Sequence, residues 1–362
     1  MRIAQIAPLV ESVPPTLYGG TERVVSWLTE ELVAMGHDVT LFASGDSVTR
    51  AKLEPVTPRA LRLAGVPDCT PYNIIMLDKV AARQHQFDIV HFHIDFFHYP
   101  LFRRLAHKTI TTLHGRQDLP GLADVYRAFP HMPLVSISDH QRKPLPLVNW
   151  LGTVYHGMPE NLLGEGTGEG GYLAFLGRIC ADKGILPAIE IARRAGLPLK
   201  VAAKVDPADR KYFEQEVRPV LAQSPHVEFI GEINDARKPD FLGKARALLF
   251  PISWPEPFGL VMIEAMACGT PVIAFRAGSV PEVVEDAITG FVVRNIDEAV
   301  AAVKRLPELD RRKVRAVFES RFTVERMARD YLAIYRGLPG VVGALQRPHL
   351  VRPVGADLQA PV

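Results

Sequence analysis

A chain of 362 residues is long for one hydrophobic core and comfortable for two, and 48% hydrophobic residues is an ordinary globular share. With 42 basic and 40 acidic residues the net charge is near +2, so no global field singles out nucleic acid as a partner. Cys69, Cys180 and Cys268 stand far apart without a C-x-x-C spacing, which excludes a disulfide framework and a cysteine zinc site and fits a reducing, cytoplasmic setting.

The N-terminus runs directly into Arg2-Ile3-Ala4-Gln5-Ile6, unlike a signal peptide, and no apolar run approaches the roughly 20 residues that span a bilayer. Residues 2–9 read as a buried strand. A Pro- and Gly-bearing loop through Gly19-Gly20 then leads to a helix over Thr21–Met35, with Thr21 as its N-cap. The next strand is Asp38–Ala43. Beyond a polar, Pro-rich stretch, a helix near Asn73–Gln84 precedes strands at Asp88–His93, Lys108–Thr112, Leu134–Ile137 and Thr153–Tyr155. Strands separated by helical segments predict a parallel sheet with both faces covered.

Residues 158–171 are rich in Gly, Glu and Thr and poor in apolar side chains, the composition of a linker. The alternation restarts beyond them. Strands are expected at Tyr172–Leu176, Leu199–Ala203, Val227–Ile230, Ala247–Phe250 and Val272–Phe275. Helices are expected at Gly184–Ala195, Asp209–Ala222, Pro239–Lys244 and Gly259–Ala267, followed by helical patterns near Asp297–Leu306, Asp310–Glu319 and Val324–Arg336. The fold class is α/β, with domains at 1–157 and 172–323, a C-terminal helix at 324–338 and a disordered tail from 339 to 362.

The most informative stretch is Pro255-Glu256-Pro257-Phe258-Gly259-Leu260, continuing through Glu264 to Cys268-Gly269. It sets two carboxylates eight positions apart across a loop-to-helix junction. The amides of Phe258, Gly259 and Leu260 lack intrahelical partners there, so the positive end of the helix faces whatever lies between the acids. Upstream, Gly177-Arg178 leaves a strand and Lys183-Gly184 opens a helix, placing two cations at a strand's carboxyl end, where open α/β sheets bind ligands. Gly19 and Gly20 could admit a second anion at a helix N-terminus, although they do not make G-x-G-x-x-G and equally suit a plain turn.

His91 and His93 share one strand face, with His98 near its end, but they lack a third ligand at metal spacing and read as hydrogen-bonded core or cleft residues. His114-Gly115 follows a strand and is better placed to reach a ligand across a cleft. With no D-x-D pair the anion site is expected to need neither metal nor cofactor. Phe102–Lys108 and Arg142–Leu147 mix basic and apolar residues and are candidates for peripheral contact with the inner face of a membrane.

Together these motifs resemble family 4 of the retaining glycosyltransferases, whose E-x7-E motif would be Glu256 and Glu264. Gly19-Gly20-Thr21-Glu22, His114, Gly177-Arg178, Lys183-Gly184, Gly269-Thr270-Pro271-Val272, Gly278 and Pro281-Glu282 are its usual companions. The resemblance covers nearly all of residues 1–336. It implies two Rossmann-like domains facing across a cleft (GT-B), with the C-terminal helix returning to the first. The donor would be a UDP- or GDP-linked sugar and the acceptor a hydroxyl of a glycan, lipid-linked or small molecule. Arg178 and Lys183 would hold the diphosphate and Glu264 the ribose. Glu256 with the amides of Phe258, Gly259 and Leu260 would hold the sugar, with Gly19, Gly20 and His114 approaching from the first domain. His156-Gly157 replaces a frequent Asn-Gly turn. The alternatives are a nucleotide-sugar epimerase, or a catalytically silent nucleotide-sugar-binding subunit; a pyridoxal-type phosphorylase lacks an identifiable lysine site.

Overall fold

The structure, a computed structural model, describes residues 1–16 and 19–341. Two parallel sheets organise it. The first holds β1 (Arg2–Ile6), β2 (Asp38–Ser44), β3 (Lys52–Thr57), β4 (Ile89–Phe92), β5 (Thr109–Thr112), β6 (Leu134–Ser136) and β7 (Trp150–Thr153), in the order β3-β2-β1-β4-β5-β6-β7. The second holds β8 (Leu173–Arg178), β9 (Leu199–Lys204), β10 (Val227–Gly231), β11 (Ala247–Phe250), β12 (Val272–Phe275) and β13 (Gly290–Val293), in the order β10-β9-β8-β11-β12-β13. Near-continuous burial along β1, β4, β5 and β11 follows from helices covering both faces.

The order reverses between β1 and β4 in the first sheet and between β8 and β11 in the second. Loops leaving the carboxyl ends of the strands part at such a point and open a crevice. Here they carry Gly19 and Gly20 after β1, Arg178 and Lys183 from β8, and Glu256 after β11.

Two strands escape the sequence pattern. β3 lies within the Pro-rich stretch; as an edge strand it tolerates Pro55, and its half-exposed residues do not alternate cleanly. β13 is a four-residue edge strand beginning at Gly290. At the opposite edge of the first sheet, β7 spans Trp150–Thr153 rather than Thr153–Tyr155, and its register to β6 shifts near Leu134. Gly19, not Thr21, caps the first helix, which runs Gly20–Ala34.

The stretch expected to be a linker is laid along the second sheet's unit. Gly166, Gly168 and Gly170 donate to the carbonyls of Cys268, Gly243 and Lys244, and the Arg311 guanidinium ties Gly166, Gly243 and Cys268 together. The last helix, Val324–Gly337, crosses back to the first helix. Its Met327, Ala328, Tyr331 and Tyr335 share one face at helical spacing and are fully buried. Of the tail expected from Pro339, residues 342–362 lie outside the described residues.

Candidate active site

One cavity of about 510 Å³ lies between the two sheets' carboxyl ends, and all ten residues singled out from the sequence line it: Gly19, Gly20, His114, Arg178, Lys183, Glu256, Phe258, Gly259, Leu260 and Glu264. The second unit's wall is built on the acidic pair. Gly259, at φ 83, caps the Leu260–Ala267 helix in the left-handed region, and a Cβ there would lie 2.8 Å from the Met262 methyl. Among the described residues none accepts from the amides of Phe258, Gly259 or Leu260, which leaves these donors for a ligand. Gly278 fixes the loop from behind: a Cβ would meet the Glu256 backbone at 2.3 Å, and Ser279 donates to the carbonyls of Glu256 and Phe258.

Both carboxylates are engaged by cations. Glu256 pairs with Lys183, whose ammonium also sits 4.7 Å from the Trp254 ring centroid. Glu264 accepts from Lys238 at 2.6 Å, and Lys238 in turn contacts Asp235 at 3.0 Å. Burial works against the Lys238 ammonium, but Glu264 and Asp235 outweigh it and hold its pKa above the ordinary lysine value. Asp235 also pairs with Arg23 of the first helix, so this network bridges the two units. Arg178 lies 3.3 Å from Asp209, an ion-pair distance.

Facing the acidic pair, the first unit sets neutral rings. His114 donates or accepts at 2.9 Å with His93 and stacks on His156 at 5.3 Å between centroids, while His156 meets the Phe258 ring edge-on at 4.9 Å. His156, the departure from the Asn-Gly turn, thus joins the first wall to the loop of the acidic pair. Gly157 beside it is required because a Cβ would fall 2.1 Å from the Thr323 carbonyl oxygen. Burial holds His91, His93, His98 and His156 well below the usual histidine pKa and His114 at about 3. His91, His93 and His98 are spent on hydrogen bonds to Tyr335, Gln5 and Thr111, and no cluster of three metal-ligating side chains forms among the described residues.

Sequence reasoning gave no role to several lining residues. Glu22 is 6% exposed, and burial, reinforced by Glu11, pushes its carboxyl up to about 7. Glu11 itself pairs with Arg62 at the cavity edge. Lys238 and Arg23 also line the cavity; Asp235, three residues before Lys238, joins them, but Arg23 comes from the first helix and no local motif ties it to that pair. Glu22 alone carried a signal, as an acid two residues after Gly20 at a helix start. The surface segments divide: Phe102 and Leu145 are buried, whereas Arg103, Arg104, Lys143 and Leu147 are exposed.

Comparison with known proteins bears on this cavity. The family described as glycosyl transferases group 1 matches residues 167–321, and the family described as glycosyltransferase family 4 matches residues 18–151. Together the two matches cover most of the chain, which belongs to the group 1, family 4 glycosyltransferase family. An alpha-maltose-1-phosphate synthase of Mycobacterium tuberculosis is 33% identical over 140 residues, 37% of this chain and 36% of that protein. A D-inositol 3-phosphate glycosyltransferase of Streptomyces scabiei is 42% identical over 76 residues, 21% of this chain and 17% of that one. The chain therefore matches about a third or less of the length of these curated relatives. Among solved structures, a sucrose-phosphate synthase of Thermosynechococcus elongatus superposes with TM-score 0.76 at 19% identity over 93% of this chain and 98% of that one. Anabaena HepE in complex with UDP and glucose gives 0.70 at 18% over 93% and 100%. Both solved structures share the two-sheet α/β architecture of this chain, the GT-B fold.

Proposed function

We propose that the protein moves a sugar from a nucleoside-diphosphate sugar, UDP- or GDP-linked, to an acceptor hydroxyl with retention of anomeric configuration and without a metal. One observation carries this reading: the crevices of both sheets open onto one cavity in which Lys183–Glu256, Lys238–Glu264 and Arg178 stand opposite His114. Such a surface suits a ligand anionic at one end and hydroxyl-rich at the other. The UDP and glucose held by Anabaena HepE are of that kind.

In this reading Lys183 exchanges its Glu256 partner for the diphosphate, and Arg178 adds a second cation. The freed Glu256 carboxylate, with the amides of Phe258, Gly259 and Leu260, takes the sugar hydroxyls. Glu264 turns to Lys238 through Oε1, and Oε2 serves the paired ribose hydroxyls. The bond from the anomeric carbon to the phosphate oxygen breaks as the acceptor oxygen bonds to the same face, and the acceptor's proton passes to the departing phosphate. Arg178 and Lys183 stabilise the charge growing on that leaving group. Clasping of the two units excludes water that would hydrolyse the donor.

A thermal-shift screen of the purified protein against nucleotide sugars tests the donor assignment, since a bound ligand raises the midpoint with affinity. Transfer to an acceptor panel then separates a transferase from a silent binding subunit, and a change of the donor sugar without acceptor would show an epimerase. For the exposed basic and apolar residues at Arg103, Arg104, Lys143 and Leu147, co-sedimentation with anionic but not neutral vesicles would support an acceptor held at a membrane surface.

A further inference from the structure

Behind His114 a line of buried polar side chains runs to the last helix. Gln5 on β1, His91 on β4, His93 just past its end and Thr112 on β5 project onto one face, because residues two apart on a strand share a side. Tyr331 and Tyr335, four apart on the last helix, descend onto that face. The contacts are Tyr331 Oη to Thr112 Oγ1 at 2.9 Å, Thr112 Oγ1 to His91 Nε2 at 2.8 Å and His91 Nδ1 to Tyr335 Oη at 2.7 Å. They continue from Tyr335 Oη to Gln5 Nε2 at 3.3 Å, Gln5 Oε1 to His93 Nε2 at 2.8 Å and His93 Nδ1 to His114 Nε2 at 2.9 Å. The sequence marked the two strand histidines as hydrogen-bonded, but no local pattern ties them to Gln5 or to the last helix.

Donor and acceptor accounting gives this line a direction. An amide oxygen only accepts, so His93 donates from Nε2 to Gln5. A buried, neutral imidazole that donates from one nitrogen accepts at the other. His93 Nδ1 therefore takes the proton of His114 Nε2, and His114 in turn is left with a bare lone pair on Nδ1. In the other direction the Gln5 amide donates to Tyr335, whose own proton goes to His91 Nδ1, and His91 then donates from Nε2 to Thr112. In this order every nitrogen and oxygen of the line finds a partner except His114 Nδ1. His114 Nδ1 is the end of the line: it is buried, its ring lines the cleft, and no described residue donates to it.

We propose that Gln5 and His93 are positioning residues that fix His114 as its Nε2–H tautomer, making its Nδ1 an acceptor that selects a ligand hydroxyl able to donate. The proposal rests on the sugar-donor reading for the nature of that hydroxyl. Turning the Gln5 amide over would reverse the bonds from Tyr335 and His91 through to His114 and make His114 Nδ1 a donor, so the orientation of one amide sets the preference of the first wall.

The test uses the full-length protein labelled with nitrogen-15 at histidine, whose long-range proton–nitrogen spectra report each ring's tautomer directly. Nε2–H is expected at both His93 and His114. Gln5→Leu should mix the two tautomers at His114, and Tyr335→Phe, a milder change that keeps the ring packed, should do so to a smaller extent. Nδ1–H at His114 in the wild type, or unmixed Nε2–H in both variants, would overturn the proposal. A ligand arm uses UDP-glucose and its monodeoxyfluoro analogues, because fluorine cannot donate a hydrogen bond. At one sugar position the fluoro analogue should bind about tenfold more weakly than UDP-glucose to the wild type and nearly equally to Gln5→Leu, with UDP itself unchanged. Equal discrimination by both proteins at every position counts against the proposal. The spectra decide the relay whether or not UDP-glucose binds, whereas failure of all nucleotide sugars in the thermal screen sinks the donor reading alone.

Discussion

The two walls of the cleft solve different problems with different chemistry. The second unit presents charge: Lys183 with Glu256, and Lys238 with Glu264 and Asp235, the last also paired with Arg23 reaching across from the first unit, all mostly buried and mutually neutralised. Facing the acidic pair, the first sets neutral rings, His114 and His156, backed by amide and hydroxyl groups, and keeps Glu22 and the Glu11–Arg62 pair elsewhere along the cavity. Charge pairs can be exchanged for a charged ligand at little net cost, since the ion pair lost is replaced by another. A neutral relay discriminates by direction of hydrogen bonding. The difference teaches that binding energy and selectivity are laid on opposite sides of one cavity, and substitutions on the two walls should fail in different ways.

The largest effect is expected at Lys183. Lys183→Ala removes the cation proposed to stabilise the leaving group and should lower kcat by roughly 10²–10³, with a smaller change in donor affinity, measured as kcat and KM at saturating acceptor. Wild-type turnover would break the contrast between the walls at its strongest point. Glu264→Ala leaves Lys238 buried without its closest partner, and removing one member of a buried pair costs about 3–5 kcal/mol, so chemical denaturation and donor titration should both show the loss.

Next in size is a pH effect of opposite sign on two groups in the same cavity. The folded pKa of Glu22 is raised from 4.5 to about 7, so its stabilising contribution is complete below pH 4.5 and is lost as pH rises through 7. Glu22→Gln should therefore stabilise the protein at pH 8 by up to about 3 kcal/mol and leave it little changed at pH 4. The folded pKa of His114 is depressed to about 3, so stability is full above the unfolded value near 6.5 and is lost as pH falls from there toward 3. Each such histidine steepens that loss by about 1.4 kcal/mol per pH unit, and replacing His114 by Gln should flatten the acid limb of a stability–pH curve. An unchanged limb would show that the first wall is not neutral in the way described.

The charged wall was legible in the sequence because its chemistry is local. Glu256 and Glu264 lie on one loop and the helix it opens, and Arg178 and Lys183 on one strand-to-helix turn, so spacing alone placed them together. The two-sheet architecture was legible for the same reason, through strands and helices long enough to show their period. Edge strands β3 and β13 were not, since half-buried or four-residue segments leave little pattern. The neutral wall was legible only in part. His114 follows a strand end, but its partners Gln5, His93 and Tyr335 are separated by up to 330 residues and meet only through the sheet order and the return of the last helix. Lys238 was invisible for the same reason: its meaning depends on Glu264, 26 residues away on another helix.

The central claim is that both walls act on one nucleotide sugar. Calorimetric titration of UDP- and GDP-sugars into the wild type, Lys183→Ala and Glu264→Ala tests it most directly. The account predicts that at least one nucleotide sugar binds the wild type in the micromolar range or tighter and that both variants bind it at least about tenfold more weakly. Binding of that sugar unchanged in both variants, or no binding of any nucleotide sugar to the wild type, would contradict it.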